Sequence, residues 1–284
     1  MKPARLALTL LAATLTPLCA HAQAHDIPSA APTLPAGQTQ EQRGRLLLDQ
    51  MVAALGGDAW LHRTDMTVRG RTAAFFRGEP TGAVIEYSGY RQFPVDGRTE
   101  AERIGYITDK SPILPGKKID IVQVWVDNQG YEVTYKGREP LPKEQVEDYF
   151  RRQNHSVESV IRDWLKQPGV VVIAEGNTMV ERRLAEKVTV LSANNDAVTL
   201  ELDAATHLPL RRTFQSRNAQ FKDSDEDVEE YDDYHTIQGL PTALTFTRYH
   251  NGDMSSQRFL SKVEYNTNLS PALFNPDNLL KKKQ

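Results

Sequence analysis

Asn194–Ser216 reads NNDAVTLELDAATHLPLRRTFQS, and its pattern decides the architecture. Val198, Leu200 and Leu202 alternate with Thr199, Glu201 and Asp203. A period of two marks a strand with one buried face. Asn194-Asn195-Asp196 is turn chemistry ahead of it. The next strand candidate, Pro209–Ser216, follows so soon that only a turn fits between them, and strands joined by short turns pair antiparallel.

The same alternation of strands and turns extends in both directions. Val170–Glu175 and Arg182–Leu191 precede the stretch, and Asp227–Ile237, Ala243–Tyr249 and Phe259–Tyr265 follow it, with Asn251-Gly252-Asp253 as a hairpin turn. Further toward the N-terminus lie Met66–Phe76, Ala83–Tyr90, Arg98–Thr108, Ile119–Asp127 and Gly130–Tyr135, the last two joined at Asn128-Gln129-Gly130. Helical signals fall in two blocks. Leu47, Leu48, Met51, Val52 and Leu55 recur at helical spacing over Glu41–Leu55, which Gly56-Gly57 stops, and a short turn of helix is expected over Asp58–His62. In the middle of the chain, Pro142 starts a helix through Arg152. Ser156 then caps a second, whose stripe Val157, Val160, Ile161, Trp164 and Leu165 ends at Pro168-Gly169. Strands outnumber helices. The expected class is α+β, one large curved antiparallel sheet with a few helices covering one face.

The first residues, MKPARLALTLLAATLTPLCAHAQA, carry Lys2 and Arg5, an apolar run Leu6–Leu15 and the small-residue pair of Ala20-His21-Ala22. This is the layout of a cleavable secretory signal over 1–22, with Ala22-Gln23-Ala24 as a second cleavage option, and the apolar run is too short to span a bilayer. Cys19 is the only cysteine, so it either leaves with the signal or is the acylated residue of a lipoprotein; Pro17 and Leu18 before it favour removal. Lys2 and Arg5 leave with the signal and no acidic residue does, so the net charge moves from −3 to −5. That acidity argues against a nucleic-acid partner. Residues 23–40, rich in Pro, Ala, Ser and Gln, read as a flexible leader, and 41–284 as a single domain. No second apolar run approaches transmembrane length, and a periplasmic location is expected.

At Ala197–Arg211 the strand, Thr206-His207-Leu208-Pro209 turn and following basic residue resemble the LolA/LolB-like superfamily of periplasmic lipoprotein carriers and lipoprotein-sorting relatives. Tyr231-Asp232-Asp233-Tyr234 leading to Ile237-Gln238-Gly239-Leu240-Pro241, the hairpin tip Asn251-Gly252-Asp253, the closing run from Asn266 through Leu269 to Phe274-Asn275-Pro276, and the helix ending Leu55-Gly56-Gly57 agree with it. Asp109–Lys118 departs from the pattern. The resemblance implies an incomplete β-barrel wrapped around an apolar cavity, helices as a lid, acyl chains of a lipid or lipoprotein as cargo, no cofactor and no catalysis.

Side chains suited to line such a cavity are Trp60, Phe75, Phe76, Ile85, Tyr87, Trp125, Trp164, Phe214, Phe246 and Phe259, each of which serves equally well as plain core. Arg69, Arg71 and Arg91 lie in or beside the early strands as candidates for a headgroup or lid contact. The acidic run Asp223–Asp233 lacks the glycine of a calcium loop and has Tyr234 where the closing glutamate would stand, so it is expected to be a solvated hairpin tip. His235 and His250, with Asp233, are the one combination that neighbouring strands could gather into a metal or hydrolytic site, and ordinary surface histidines are the expectation. The chain carries no HExxH, Gly-x-Ser-x-Gly or phosphate-loop motif. The leading expectation is therefore a non-enzymatic periplasmic carrier or sensor, without metal or cofactor. The alternatives are a module that binds an envelope protein and an envelope hydrolase.

Overall fold

Thr39 caps the first helix. Its hydroxyl accepts a hydrogen bond from Gln42 N (3.1 Å) while Gln42 Oε1 accepts one from Thr39 N (2.9 Å), a capping box that satisfies two otherwise orphaned donors. The structure is a computed structural model and describes residues 37–108, 118–217 and 224–279. The signal segment with Cys19 lies outside the described residues, as do the leader up to residue 36, residues 109–117 of the departing segment and the Lys281–Lys283 tail.

Helices α1 (Gln40–Leu55) and α2 (Asp58–Leu61) precede strands β1 (Asp65–Phe76), β2 (Glu79–Gln92), β3 (Ala101–Thr108), β4 (Lys118–Val126), β5 (Gln129–Thr134) and β6 (Gly137–Pro140). Helices α3 (Lys143–Asn154) and α4 (Val157–Arg162) follow. Strands β7 (Val171–Val180), β8 (Arg183–Leu191), β9 (Ala197–Asp203), β10 (Pro209–Arg217), β11 (Ser224–Ile237), β12 (Leu240–His250) and β13 (Asp253–Tyr265) come next, and two 3-10 turns, Pro271–Phe274 and Pro276–Leu279, follow them. All thirteen strands form one sheet in the order β6-β5-β4-β3-β2-β1-β13-β12-β11-β10-β9-β8-β7. Every neighbouring pair is antiparallel. The expected class, a large antiparallel sheet not closed into a barrel, is what the chain forms.

Several boundaries moved for identifiable reasons. β6 was not expected: it is four residues long, sits at the sheet edge and ends in proline, so it carries no alternation to read. The β4–β5 turn lies one residue earlier than expected, at Asp127-Asn128, both with positive φ (51° and 58°), a conformation Asp and Asn tolerate. The acidic run is not a hairpin tip. From Ser224 it is β11, and Asp227 and Glu229 on one of its faces are buried. Period-two alternation separates charges that look continuous in sequence.

The core fills only part of the concave face. Leu47, Leu48, Met51 and Leu55 of α1, with Val157, Val160 and Trp164 from the α4 segment, pack against Val172, Val188, Val190, Leu200, Leu202 and Phe214 of β7–β10. The stripe expected of one helix is split: α4 ends at Arg162 and a 3-10 turn, Trp164–Lys166, carries Trp164 inward. Asp65, at the start of β1, is buried and accepts from Thr267 N (2.7 Å), Thr267 Oγ1 (2.8 Å) and Asn268 N (3.1 Å). It fastens the closing segment to the sheet.

Gly44 lets α1 lie this close to β7. A Cβ there would meet Val172 Cγ1 at 2.9 Å and Ala174 N at 3.1 Å. Gly44→Ala gains helix propensity of up to about 1 kcal/mol, yet overpacking costs typically about 1–3 kcal/mol. We expect net destabilisation of roughly 1 kcal/mol in urea unfolding; an increase in stability would show that α1 is free to shift.

Candidate binding cavity between the sheet and helix α3

Alternation along the strands not covered by α1 and α4 sends every second side chain to the concave face. β1 contributes Met66, Val68 and Thr72; β2 Tyr87 and Arg91; β3 Glu102, Ile104 and Tyr106; β4 Gln123 and Trp125. From the other half come Arg212 of β10, Glu229 and Tyr231 of β11, Phe246 and Arg248 of β12, and Arg258 and Leu260 of β13. Opposite them α3 presents Gln145, Tyr149, Arg152 and Gln153. The space between has a volume of about 410 Å³, within the range of about 300–1,000 Å³ typical of small-molecule sites.

The cavity stays open because α3 stands on struts. None of its side chains is buried. Its first turns rest on β5, where Val146 approaches Gly130. Beyond that, Tyr149 stacks on Trp125 with ring centroids 4.5 Å apart and donates from its hydroxyl to Glu102 Oε2 (2.5 Å). Arg91 Nη2 donates to Gln153 Oε1 (2.9 Å). On the far side Arg212 Nη1 donates to the carbonyls of Arg152 (3.1 Å) and His155 (3.0 Å), placing a cation at the helix's C-terminal end. Arg63 reaches Glu158 of α4 (Nη2–Oε1 2.6 Å) and lies over Trp60 and Phe93. Long polar side chains thus hold the helices at a distance from the sheet that short apolar ones would close.

The wall is far from uniformly apolar, in contrast to the cavity that the family resemblance implies. Among the described lining residues are six arginines and three glutamates. Glu229 is their hub: Arg248 Nε lies 2.6 Å from Oε1, Arg258 Nη2 3.2 Å from the same oxygen, and Arg212 Nη2 3.5 Å from Oε2. Tyr231 donates its hydroxyl to Oε2 (3.0 Å). Burial alone would raise the Glu229 carboxyl; Arg248, Arg212 and Arg258 outweigh it and hold the group well below the usual carboxylate range. Burial and the Glu229 charge push the Tyr231 phenol well up. The Arg152 guanidinium is pushed down to about 10, first by burial and then by Arg248, so it stays cationic at neutral pH.

Of the side chains singled out from sequence, Trp60, Tyr87, Trp125, Phe246 and Arg91 line this cavity. Trp164 and Phe214 do not: they lie in the α1/α4 core, where His155 stacks on Phe214 at 4.2 Å and meets the Trp164 edge at 5.3 Å. Phe76 is 68 % exposed at the β1–β2 hairpin, with Phe75 half-buried beside it and Ile85 exposed on β2. Phe259 is exposed across from Arg71, and Arg69 and Arg71 are exposed, alternating with the inward Val68 and Thr72. His235 and His250 stay apart, one on Asp233 (3.0 Å) and the other on Asp227 (3.3 Å). Among the described residues no three His, Cys, Asp or Glu side chains gather as metal ligands. The inward arginines and Glu229 escaped sequence reading. The available signal was parity: Arg212 shares its strand face with Phe214, Arg248 with Phe246, and Arg258 with Leu260.

No family model and no curated protein matches the sequence. Solved structures match its fold. A DUF1329 family protein from Desulfovibrio piger superposes with a TM-score of 0.58 at 14% identity, covering 85% of this chain and 100% of that one. A putative outer membrane lipoprotein-sorting protein domain from Vibrio parahaemolyticus gives 0.53 at 12% identity, with 85% and 100% coverage. A LolA superfamily protein from Nitrosomonas europaea gives 0.47 at 12% identity, with 82% and 98% coverage. The chain shares the fold of the first two; identities this low speak for fold alone.

Glu229→Gln removes the charge that three guanidiniums share, and breaking a buried pair in this way costs about 3–5 kcal/mol. In the unfolded chain the carboxyl titrates near pH 4.3, and in the folded chain well below that. Its contribution is therefore complete above about pH 4.3 and drains away as the pH falls further. The gap in urea midpoint between wild type and Glu229→Gln should be wide at pH 7 and narrow at pH 3. An equal gap at both would place the stabilisation elsewhere.

Proposed function

We propose that this chain is an exported, non-enzymatic carrier or sensor, working in the periplasm after removal of the segment through Ala22, that holds an acyl chain of a lipid or lipoprotein against its concave sheet. The observation that carries this reading is the unfilled half of the concave face: β1–β4 and β11–β13 offer Val68, Tyr87, Ile104, Phe246 and Leu260 to an open volume rather than to a packed helix. Each methylene buried yields about 0.8 kcal/mol, so a chain of ten or more methylenes offsets much of the roughly 4–15 kcal/mol cost of association. The fold shared with a lipoprotein-sorting domain supports the reading. So does the absence, among the described residues, of a helix long and apolar enough to cross a membrane.

In this reading α3 is the gate. Its ties to the sheet are hydrogen bonds and one ring stack, and such bonds exchange for water at a net cost of about 0.5–1.5 kcal/mol each, more where a charged group takes part. Lifting α3 exposes little apolar surface, whereas lifting α1 would expose Leu47, Leu48 and Met51. Entry therefore runs beneath α3 while the β7–β10 half stays folded.

A brominated dodecanoic acid tests this directly. Trp60 and Trp125 line the cavity and Trp164, the third tryptophan, is buried in the core. Saturable quenching is expected in wild type and is expected to vanish in Trp60→Phe/Trp125→Phe, which retains Trp164; failure of any chain to quench would end the carrier reading. Tyr149→Phe keeps the stack on Trp125 but loses the bond to Glu102. Stopped-flow uptake is expected to quicken about tenfold, as about 1.4 kcal/mol per decade implies; an unchanged rate would remove α3 from the entry path.

A further inference from the structure

The cationic side chains of the cavity are unevenly placed and incompletely paired. Arg63 and Arg91 have their own carboxylates, Glu158 (2.6 Å) and Glu100 (2.5 Å). Arg152 pairs with Asp148, and the other three, Arg212, Arg248 and Arg258, surround Glu229, the one cavity-lining carboxylate in that half. Of the acids nearby, Asp148 pairs with both Arg151 and Arg152, and Asp227 meets His250 Nδ1 through Oδ1 (3.3 Å) while its buried Oδ2 has no hydrogen-bond partner. Glu229 Oε1 already takes Arg248 and Arg258, and Oε2 takes the Tyr231 hydroxyl with Arg212 at 3.5 Å.

Donors remain over. Arg212 is 2 % exposed, and its Nε has no hydrogen-bond partner; Arg258 Nε is likewise buried and unpartnered. A buried N–H without an acceptor costs about 1–3 kcal/mol, more on a charged group. Several guanidiniums about one carboxylate also repel one another. Both costs fall if a second anion enters. The two walls differ in kind: Arg258 stands between Phe246 of β12 and Thr72 of β1 in register, and beyond β1 lie Tyr87, Ile104 and Trp125. The cavity therefore has a cationic end on β10–β13 and an aromatic end on β2–β4.

We infer that the cargo brings a negative charge inside the protein: the cavity takes an anionic amphiphile, its carboxylate or phosphate received by Arg212, Arg258, Arg248 and Arg152 and its chain laid along the aromatic wall. This rests on the acyl-binding reading and narrows it. A neutral lipid, or a lipoprotein whose head stays outside, leaves the surplus cations unanswered. Charge-assisted bonds from planar guanidiniums suit either oxyanion.

The test compares hexadecanoic acid, hexadecyl phosphate, hexadecanol and inorganic phosphate by calorimetry on the full chain, each single-chain ligand below its aggregation concentration. The acid and the alkyl phosphate are expected to bind at least thirtyfold more tightly than the alcohol. Arg258→Met is expected to lower the acid's affinity at least tenfold more than the alcohol's, with Arg152→Gln doing the same by a smaller factor if Arg258→Met fails to fold. Equal affinity for acid and alcohol would overturn the inference and leave the carrier reading standing. Inorganic phosphate binding as tightly as hexadecyl phosphate would overturn it too, since the chain would then contribute nothing. Binding by none of the chain-bearing ligands would instead sink the reading beneath it.

Discussion

A thirteen-strand sheet in which β1 and β13 are neighbours leaves its free edges at β6 and β7, and the chain has to pass from one to the other. That connection is α3 and α4. Because the sheet curves, the passage crosses its concave side, as the contacts of Tyr149 with Trp125 on β4 and of His155 with Phe214 on β10 record. Joining the sheet's two free edges and covering the cavity are thus one constraint: the segment that would be an arbitrary loop beside a flat sheet lies across the concave face here.

What the lid covers follows from how the concave face is divided. On β7–β10, α1 and α4 bury aliphatic side chains at ordinary core density, and Gly44 removes even a methyl group from the contact. On β1–β4 and β11–β13 the facing helix is α3, too polar to pack. Tyr149, Gln153 and the arginines reaching it are long enough to brace it above the sheet. The cavity is the volume between two surfaces held apart by their own hydrogen bonds.

Those bonds bring charge into a place where charge is costly, and the protein answers with a shared carboxylate rather than with separate pairs. Glu229 lets several cations coexist because each is attracted to it more than the cations repel one another, and its ionisation is correspondingly hard to reverse. A partial answer of this kind is stable without being saturated. The buried donors Nε of Arg212 and Nε of Arg258 remain without an acceptor beside Glu229.

The sequence by itself determined the elements and their pairing. Period-two alternation in Ala197–Asp203, helical periodicity in Leu47–Leu55 and turn chemistry at Asn251-Gly252 are local signals, and the antiparallel sheet follows from the shortness of the connections. The inward aromatic residues of β2 and β4 were legible to the same extent, but Trp60, Phe214 and Trp164 read alike and only the first faces the cavity, because which half of the concave face α1 occupies is written in no local pattern. Tertiary structure alone decided the charged site. Arg212, Glu229, Arg248 and Arg258 come from four strands, and each reads in its own segment as an ordinary polar residue. Their joint position depends on register across β10–β13 and on burial beneath α3, both set by long-range pairing; a charge becomes part of a site only when folding takes it out of water beside others of its kind.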